Sequence, residues 1–145
     1  MSHIPTVIDF VRLHTSATVP TRATDHSAGF DLYARESVQL FPGYVMPVGT
    51  GIAVGMQRGW LAMLFERSGM AKFSVGLMNG VGVIDSDYRG EILAMCWVKD
   101  APYTINKGDR FAQLVFQRLP SVTMRKVASL SPTSRGAGGF GSTGV

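Results

Sequence analysis

The sequence predicts an all-β fold, a sandwich or barrel with a flexible C-terminal arm, and three observations carry the β part. Short runs of β-branched, aromatic and aliphatic residues recur along the chain, turn chemistry separates them, and only one segment has a helical character. With 145 residues and 46% hydrophobic content there is room for one core. That length lies near the lower end of what buries surface efficiently alone, so oligomerisation would help.

The runs read as strands in order. "TVIDFVRL" (6–13) opens the series, followed by "FDLYA" (30–34) and "SVQLF" (37–41), with Pro42-Gly43 as the turn after them. "GIAVGM" (51–56) precedes an Arg58-Gly59 turn and "WLAMLFE" (60–66). "SGMAKF" (68–73) is the one short helical turn. "GVGVI" (80–84), "EILAMCWV" (91–98) and "RFAQLVFQRL" (110–119) complete the set, with turn formers at Asp100 to Pro102 and Asn106 to Gly108. From Ser129 the composition shifts to small and polar residues, dividing a β domain (1–128) from a glycine-rich arm (129–145).

Charge and cysteine content narrow the classes. The net charge is +4, but the basic residues are dispersed and only Arg125-Lys126 adjoin, so no nucleic-acid partner is expected and a small anionic ligand fits equally. The single cysteine, Cys96, lies in an apolar run, reads as a buried inert thiol and suits a reducing compartment. No apolar stretch spans a bilayer and the first twenty residues lack a signal-peptide pattern, so a soluble cytoplasmic protein without membrane contact is expected. The histidines His3, His14 and His26 match no metal-ligand spacing and receive no role.

Chemistry concentrates in five segments. In "RGAGGFGSTG" the Gly136, Gly138 and Gly141 spacing imitates a dinucleotide turn, but no helix or later acidic residue follows it. Its backbone amides and the Ser142 and Thr143 hydroxyls can instead cradle phosphate oxygens, Arg135 can grip a terminal phosphate, and Phe140 can stack on a base. "NGVGVIDSDYRGE" (79–91) has a hairpin as its simplest structural reading, yet Asp85 and Asp87 follow an apolar strand, and two neighbouring carboxylates oppose each other's ionisation. Either is poised to orient and deprotonate a water. In "ERSGMA" (66–71), Arg67 and Ser68 open the helical turn and suit an anion, the structural alternative being an N-cap at Ser68 and a surface charge. Asp31 in "AGFDLYA" faces opposite to its strand neighbours, and Gln113 in "GDRFAQLVF" needs a partner for its amide.

Taken in order, these five segments closely resemble the five signature motifs of the trimeric deoxyuridine triphosphatase (dUTPase) family, from about Ala28 to the end. The resemblance implies a jelly-roll-like subunit, a homotrimer with sites at subunit interfaces, and Mg²⁺-assisted hydrolysis of dUTP to dUMP and pyrophosphate. By the same resemblance Asp85 activates the water attacking the α-phosphorus, and Tyr88 lies beneath the deoxyribose and rejects a 2′-hydroxyl. Asn79 begins a base-reading hairpin in which backbone groups through Gly82, Val83 and Ile84 recognise uracil. Arg67, Ser68, Gly69 and Gln113 contact phosphates, and Asp31 supports the metal's water shell without direct protein ligands to the ion. Arg135 holds the γ-phosphate and Phe140, with Gly141 and Ser142, closes over the substrate as a lid.

Two departures stand out. Glu66 occupies a position where many relatives have proline, putting a negative charge near the phosphate residues, and "KFSVGLM" (72–78) is slightly short and lacks a frequent lysine-histidine pair. A related dCTP deaminase would need a glutamate proton shuttle where this chain has Asp85 to Tyr88, and the mismatch argues against it. A third reading keeps the trimer as a nucleotide-switched module for a regulatory protein partner.

Overall fold

The computed structural model describes residues 6–144. Among them eleven strands and one short helix run in the order β1 (Asp9–Arg12), β2 (Phe30–Tyr33), β3 (Val38–Leu40), β4 (Met46–Gly49), β5 (Ile52–Gly55), β6 (Trp60–Glu66), α1 (Ser68–Ala71), β7 (Val75–Leu77), β8 (Gly82–Ile84), β9 (Leu93–Val98), β10 (Tyr103–Ile105) and β11 (Arg110–Arg118). The expected all-β class stands, and none of the four sheets closes into a barrel.

The sheets have orders β1-β5, β3-β10, β2-β11-β6-β8 and β4-β9-β7, with antiparallel pairing throughout. Side chains from all four meet in one core: Ile52 from β5, Leu40 and Ile105 from β3 and β10, Leu32, Leu64 and Leu114 from the largest sheet, and Val48, Cys96 and Val98 from the fourth. Cys96 is buried there as expected, its thiol pushed up from 9.0 to about 12, first by burial and then by the charge of Glu66. A neutral thiol behaves in such a place as a small hydrophobe.

The longest strand, β11, organises the site. It lies between β2 and β6, setting Gln113 opposite both Asp31 and Phe65. Near its start Arg110 is opposite Tyr33 whereas Ala112 is opposite Leu32, so Phe111 is one residue more than β2 can match. This bulge sends Phe111 into the core at 2% exposure and turns Arg110 to the outer face.

One expectation is corrected. Residues 79–91 do not form a hairpin: β8 pairs with β6, whereas β9 pairs with β4 and β7 in another sheet. Asn79 lies in the turn between β7 and β8, which likewise belong to different sheets. Three-residue strands such as β7 and β8 bury one face only by joining longer neighbours, and those neighbours lie in different sheets.

Candidate functional site

The chain from Asn79 to Asp85 runs between two cavities. The first, about 230 Å³, is lined by Leu64, Asn79, Gly82, Val83, Ile84, Asp85, Tyr88, Glu91, Ile92 and Leu93. It thus collects the base-reading and water-activating candidates. The second, about 540 Å³ and more open, is bordered by Phe65 to Ser68, Ala71, Gly80, Val81 and Gln113. It collects the phosphate-contacting candidates, with Gly69 in α1 next to them.

In the smaller cavity a turn fixes the backbone of Asp85. The Tyr88 N–H donates to the Asp85 carbonyl at 3.1 Å, so Asp85 opens a four-residue turn directly after β8. Asp85 and Asp87 are both exposed, but only Asp85 lines this cavity. The Tyr88 hydroxyl donates to the Glu91 carbonyl at 3.0 Å, folding the ring back over Gly90. A side chain at Gly90 would begin 2.4 Å from that hydroxyl oxygen, so only glycine lets the ring lie there. Arg89 secures the turn by donating to the Ser86 and Tyr88 carbonyls at 2.7 and 3.0 Å.

In the larger cavity the groups are tied to a buried carboxylate. Asp31 is 6% exposed; its Oδ1 accepts from Arg67 Nε at 2.8 Å, and its Oδ2 lies 3.5 Å from Arg110 Nη1. Asp31 therefore faces away from the core side of β2 and makes structural ion pairs with both arginines. Gln113 Nε2 donates to the Glu66 carbonyl at 3.1 Å, which supplies the partner its amide requires. Gly29 is shaped by the same residue, since a Cβ there would lie 2.7 Å from Gln113 Oε1. α1 starts at Ser68, so Arg67 rather than Ser68 occupies the cap position, and it makes no side-chain hydrogen bond to the turn.

Glu66 behaves differently from its sequence position alone. Opposite Ala112 in the register, its side chain shares the face of that buried alanine, not the face of Gln113. Its charge acts on Cys96 across the core. Glu66 nevertheless borders the same cavity as Arg67, Ser68 and Gln113.

The arm residues are not brought to either cavity. Arg135 Nε donates to the Gly138 carbonyl at 2.9 Å, and Phe140 is fully exposed with φ of 50°. The adjoining turns are closed by Gly138 to Arg135 and Ser142 to Gly139 backbone bonds. Among the described residues, no strand or helix follows Arg118, and the backbone bond from Leu119 to Gly59 is the last between this end and the β domain.

Sequence reasoning missed two participants. Glu91 Oε1 accepts from Gly51 N–H at 2.7 Å and Arg35 Nε at 3.0 Å, while His14 Nε2 lies 3.7 Å from Oε2. It thereby ties two loops to the wall of the smaller cavity; its place at a strand start gave no sign of this. Arg110 was missed because its approach to Asp31 depends on the bulge. His3 lies outside the described residues.

Among the described residues no three His, Cys, Asp or Glu side chains gather as a metal cage. Asp31, the carboxylate nearest the phosphate candidates, already receives two arginines. Such a set fits an ion that retains much of its water rather than one caged by protein ligands.

Comparison with known proteins bears on these groups together. A family model described as dUTPase matches residues 15–144. A deoxyuridine 5'-triphosphate nucleotidohydrolase of Mycolicibacterium vanbaalenii is 42% identical, covering 97% of both chains. Its counterpart in Corynebacterium diphtheriae is 41% identical, covering 97% of this chain and 95% of the other. Among solved structures, a Staphylococcus bacteriophage 80alpha dUTPase with dUPNHPP superposes with a TM-score of 0.89 at 26% identity, covering 97% of this chain and 100% of that one. A mutant dUTPase from phage phi11 of S. aureus, which coordinates a structural Mg(II) ion, has a TM-score of 0.77 at 24% identity, covering 86% of this chain and 98% of that one.

Proposed function

The chain belongs to the dUTPase family, and from that premise we propose that it hydrolyses dUTP to dUMP and pyrophosphate, removing dUTP and supplying dUMP for thymidylate synthesis. The observation that carries the reading is the smaller cavity, where Asp85, Tyr88 and the β8 backbone converge on about 230 Å³. That is below the roughly 300–1,000 Å³ of sites for drug-sized ligands and suits a single nucleoside.

In the proposed mechanism the backbone of Asn79 and Gly82 to Ile84, which borders the smaller cavity, pairs with the uracil edge. The Tyr88 ring, held by Glu91, forms the surface under the sugar and leaves no space for a 2′-hydroxyl. Asp85 orients a water toward the α-phosphorus and accepts its proton, a role typically worth about 10²- to 10⁴-fold in rate. Arg67, Ser68, Gly69 and Gln113 bind the phosphates, with Ser68 near the bridging oxygen that leaves with pyrophosphate. When bound, Mg²⁺ supplies charge neutralisation to the triphosphate; Asp31 would hold its water shell.

The two groups of residues open into separate cavities of one subunit. The reading accordingly joins the nucleoside cavity of one subunit to the phosphate residues of another in a jelly-roll homotrimer. The arm closes over that junction, Arg135 on the γ-phosphate and Phe140 over the uracil, excluding water. The reaction belongs to the cytoplasm, where Cys96 remains a thiol.

The test is pyrophosphate release from dUTP, dCTP, dTTP and UTP, each with Mg²⁺ and with excess chelator. Release from dUTP alone, lost on chelation, is expected. A folded protein that releases none from any of them would overturn the reading.

A further inference from the structure

We propose that Arg110 is a positioning residue that takes over Asp31 when the substrate phosphates draw Arg67 away. The inference rests on the phosphate role given to Arg67 above and adds a residue to it.

Asp31 is 6% exposed, and a carboxylate so buried needs a cation beside it. Arg67 supplies the close contact, 2.8 Å from Oδ1. An arginine so engaged cannot reach a triphosphate without vacating the carboxylate. Arg110 stands at the second oxygen, at 3.5 Å, longer than a strong charge-assisted bond. Its side chain is 48% exposed, so little packing opposes its moving closer.

The backbone has been arranged for this contact. Regular alternation along β11 would put position 110 on the face opposite Gln113, because the two are three positions apart. The bulge at Phe111 reverses that parity, so Arg110 faces the same way as Tyr33, and therefore as Asp31. A second contact couples the two arginines: Arg67 Nη1 lies 3.4 Å from the Arg110 carbonyl. Departure of Arg67 thus releases both the carboxylate and the backbone of Arg110. Oδ2 then closes on Arg110, and Oδ1 becomes free to accept from water around the metal.

The experiment measures binding of a non-hydrolysable dUTP analogue with Mg²⁺, alongside KM and kcat for dUTP, in the parent, Arg110→Gln, Arg110→Lys, Asp31→Asn and the Asp31→Asn/Arg110→Gln double variant. Arg110→Gln should raise Kd and KM about tenfold with a smaller change in kcat, and Arg110→Lys should recover most of the loss. With Asp31→Asn no charge needs covering, so adding Arg110→Gln should change Kd less than twofold. Equal Kd for parent and Arg110→Gln, or the same tenfold loss in the Asp31→Asn background, would overturn the hand-over while leaving the proposed reaction intact. Failure of the parent itself to bind the analogue would overturn both. Thermal unfolding of each variant separates these results from loss of fold.

Discussion

A turn directly after a three-residue strand gives Asp85 its significance. β8 is anchored to β6 by three register positions, Ala62 to Ile84, Met63 to Val83 and Leu64 to Gly82, so the next side chain has a defined origin. Asp85→Asn keeps the backbone bond to Tyr88 and removes only the proton acceptor. Turnover of dUTP should therefore fall about 10²-fold or more with the melting temperature unchanged; near-normal turnover would remove Asp85 from the mechanism. Cys96 offers a separate check. Its thiol is raised from 9.0 to about 12 in the fold, so the folded state holds this proton more firmly. The corresponding stability is complete below pH 9 and is lost as pH rises through 12. Urea unfolding at pH 8 and pH 11 should show a larger alkaline loss in the parent than in Cys96→Ala.

At the scale of elements, the arm is defined by what it lacks. Residues 119–137 are exposed throughout, and the turns around Arg135 and Gly138 are closed locally. Deletion of residues 135–145 should abolish efficient hydrolysis without lowering the melting temperature, because little core leaves with them; a marked drop in melting temperature without nucleotide would make the arm structural. The strands with strong β-branched or aromatic content were legible from their pattern. β4, β7 and β10 were not. "MPVG" contains proline and glycine, which weaken a strand reading, yet β4 is an edge strand where proline is tolerated. "VGL" and "YTI" are three residues each, too short to establish alternation by themselves. Arg110 escaped for a related reason: a bulge exists only in the pairing of two strands, and neither sequence announces it. Asp31, Arg67 and Gln113 could be listed from the sequence, but their convergence required the register of β2, β11 and β6.

For the whole molecule, the exposed apolar side chains argue for partners of the same kind. Val83 and Leu93 are 68% and 47% exposed at the rim of the smaller cavity, and Met78 donates its N–H to the carbonyl of exposed Met95. A monomer would leave this surface in water. Sedimentation should give three times the 15.6 kDa chain mass, and Val83→Asp should shift the population toward single chains with parallel loss of dUTP hydrolysis. A fully active single-chain species would overturn the shared-site arrangement.

The exposed terminal segment also separates two lifetimes. Arg125, Lys126 and Arg135 offer cleavage points on a stretch without strand or helix, whereas the sheets are packed about one core. With the arm as the proposed lid, a trypsin-like protease would end catalysis long before it destroyed the body of the protein. The nicked remainder would persist as folded, inert material, so cellular abundance measured with an antibody to the β domain would overstate the working enzyme.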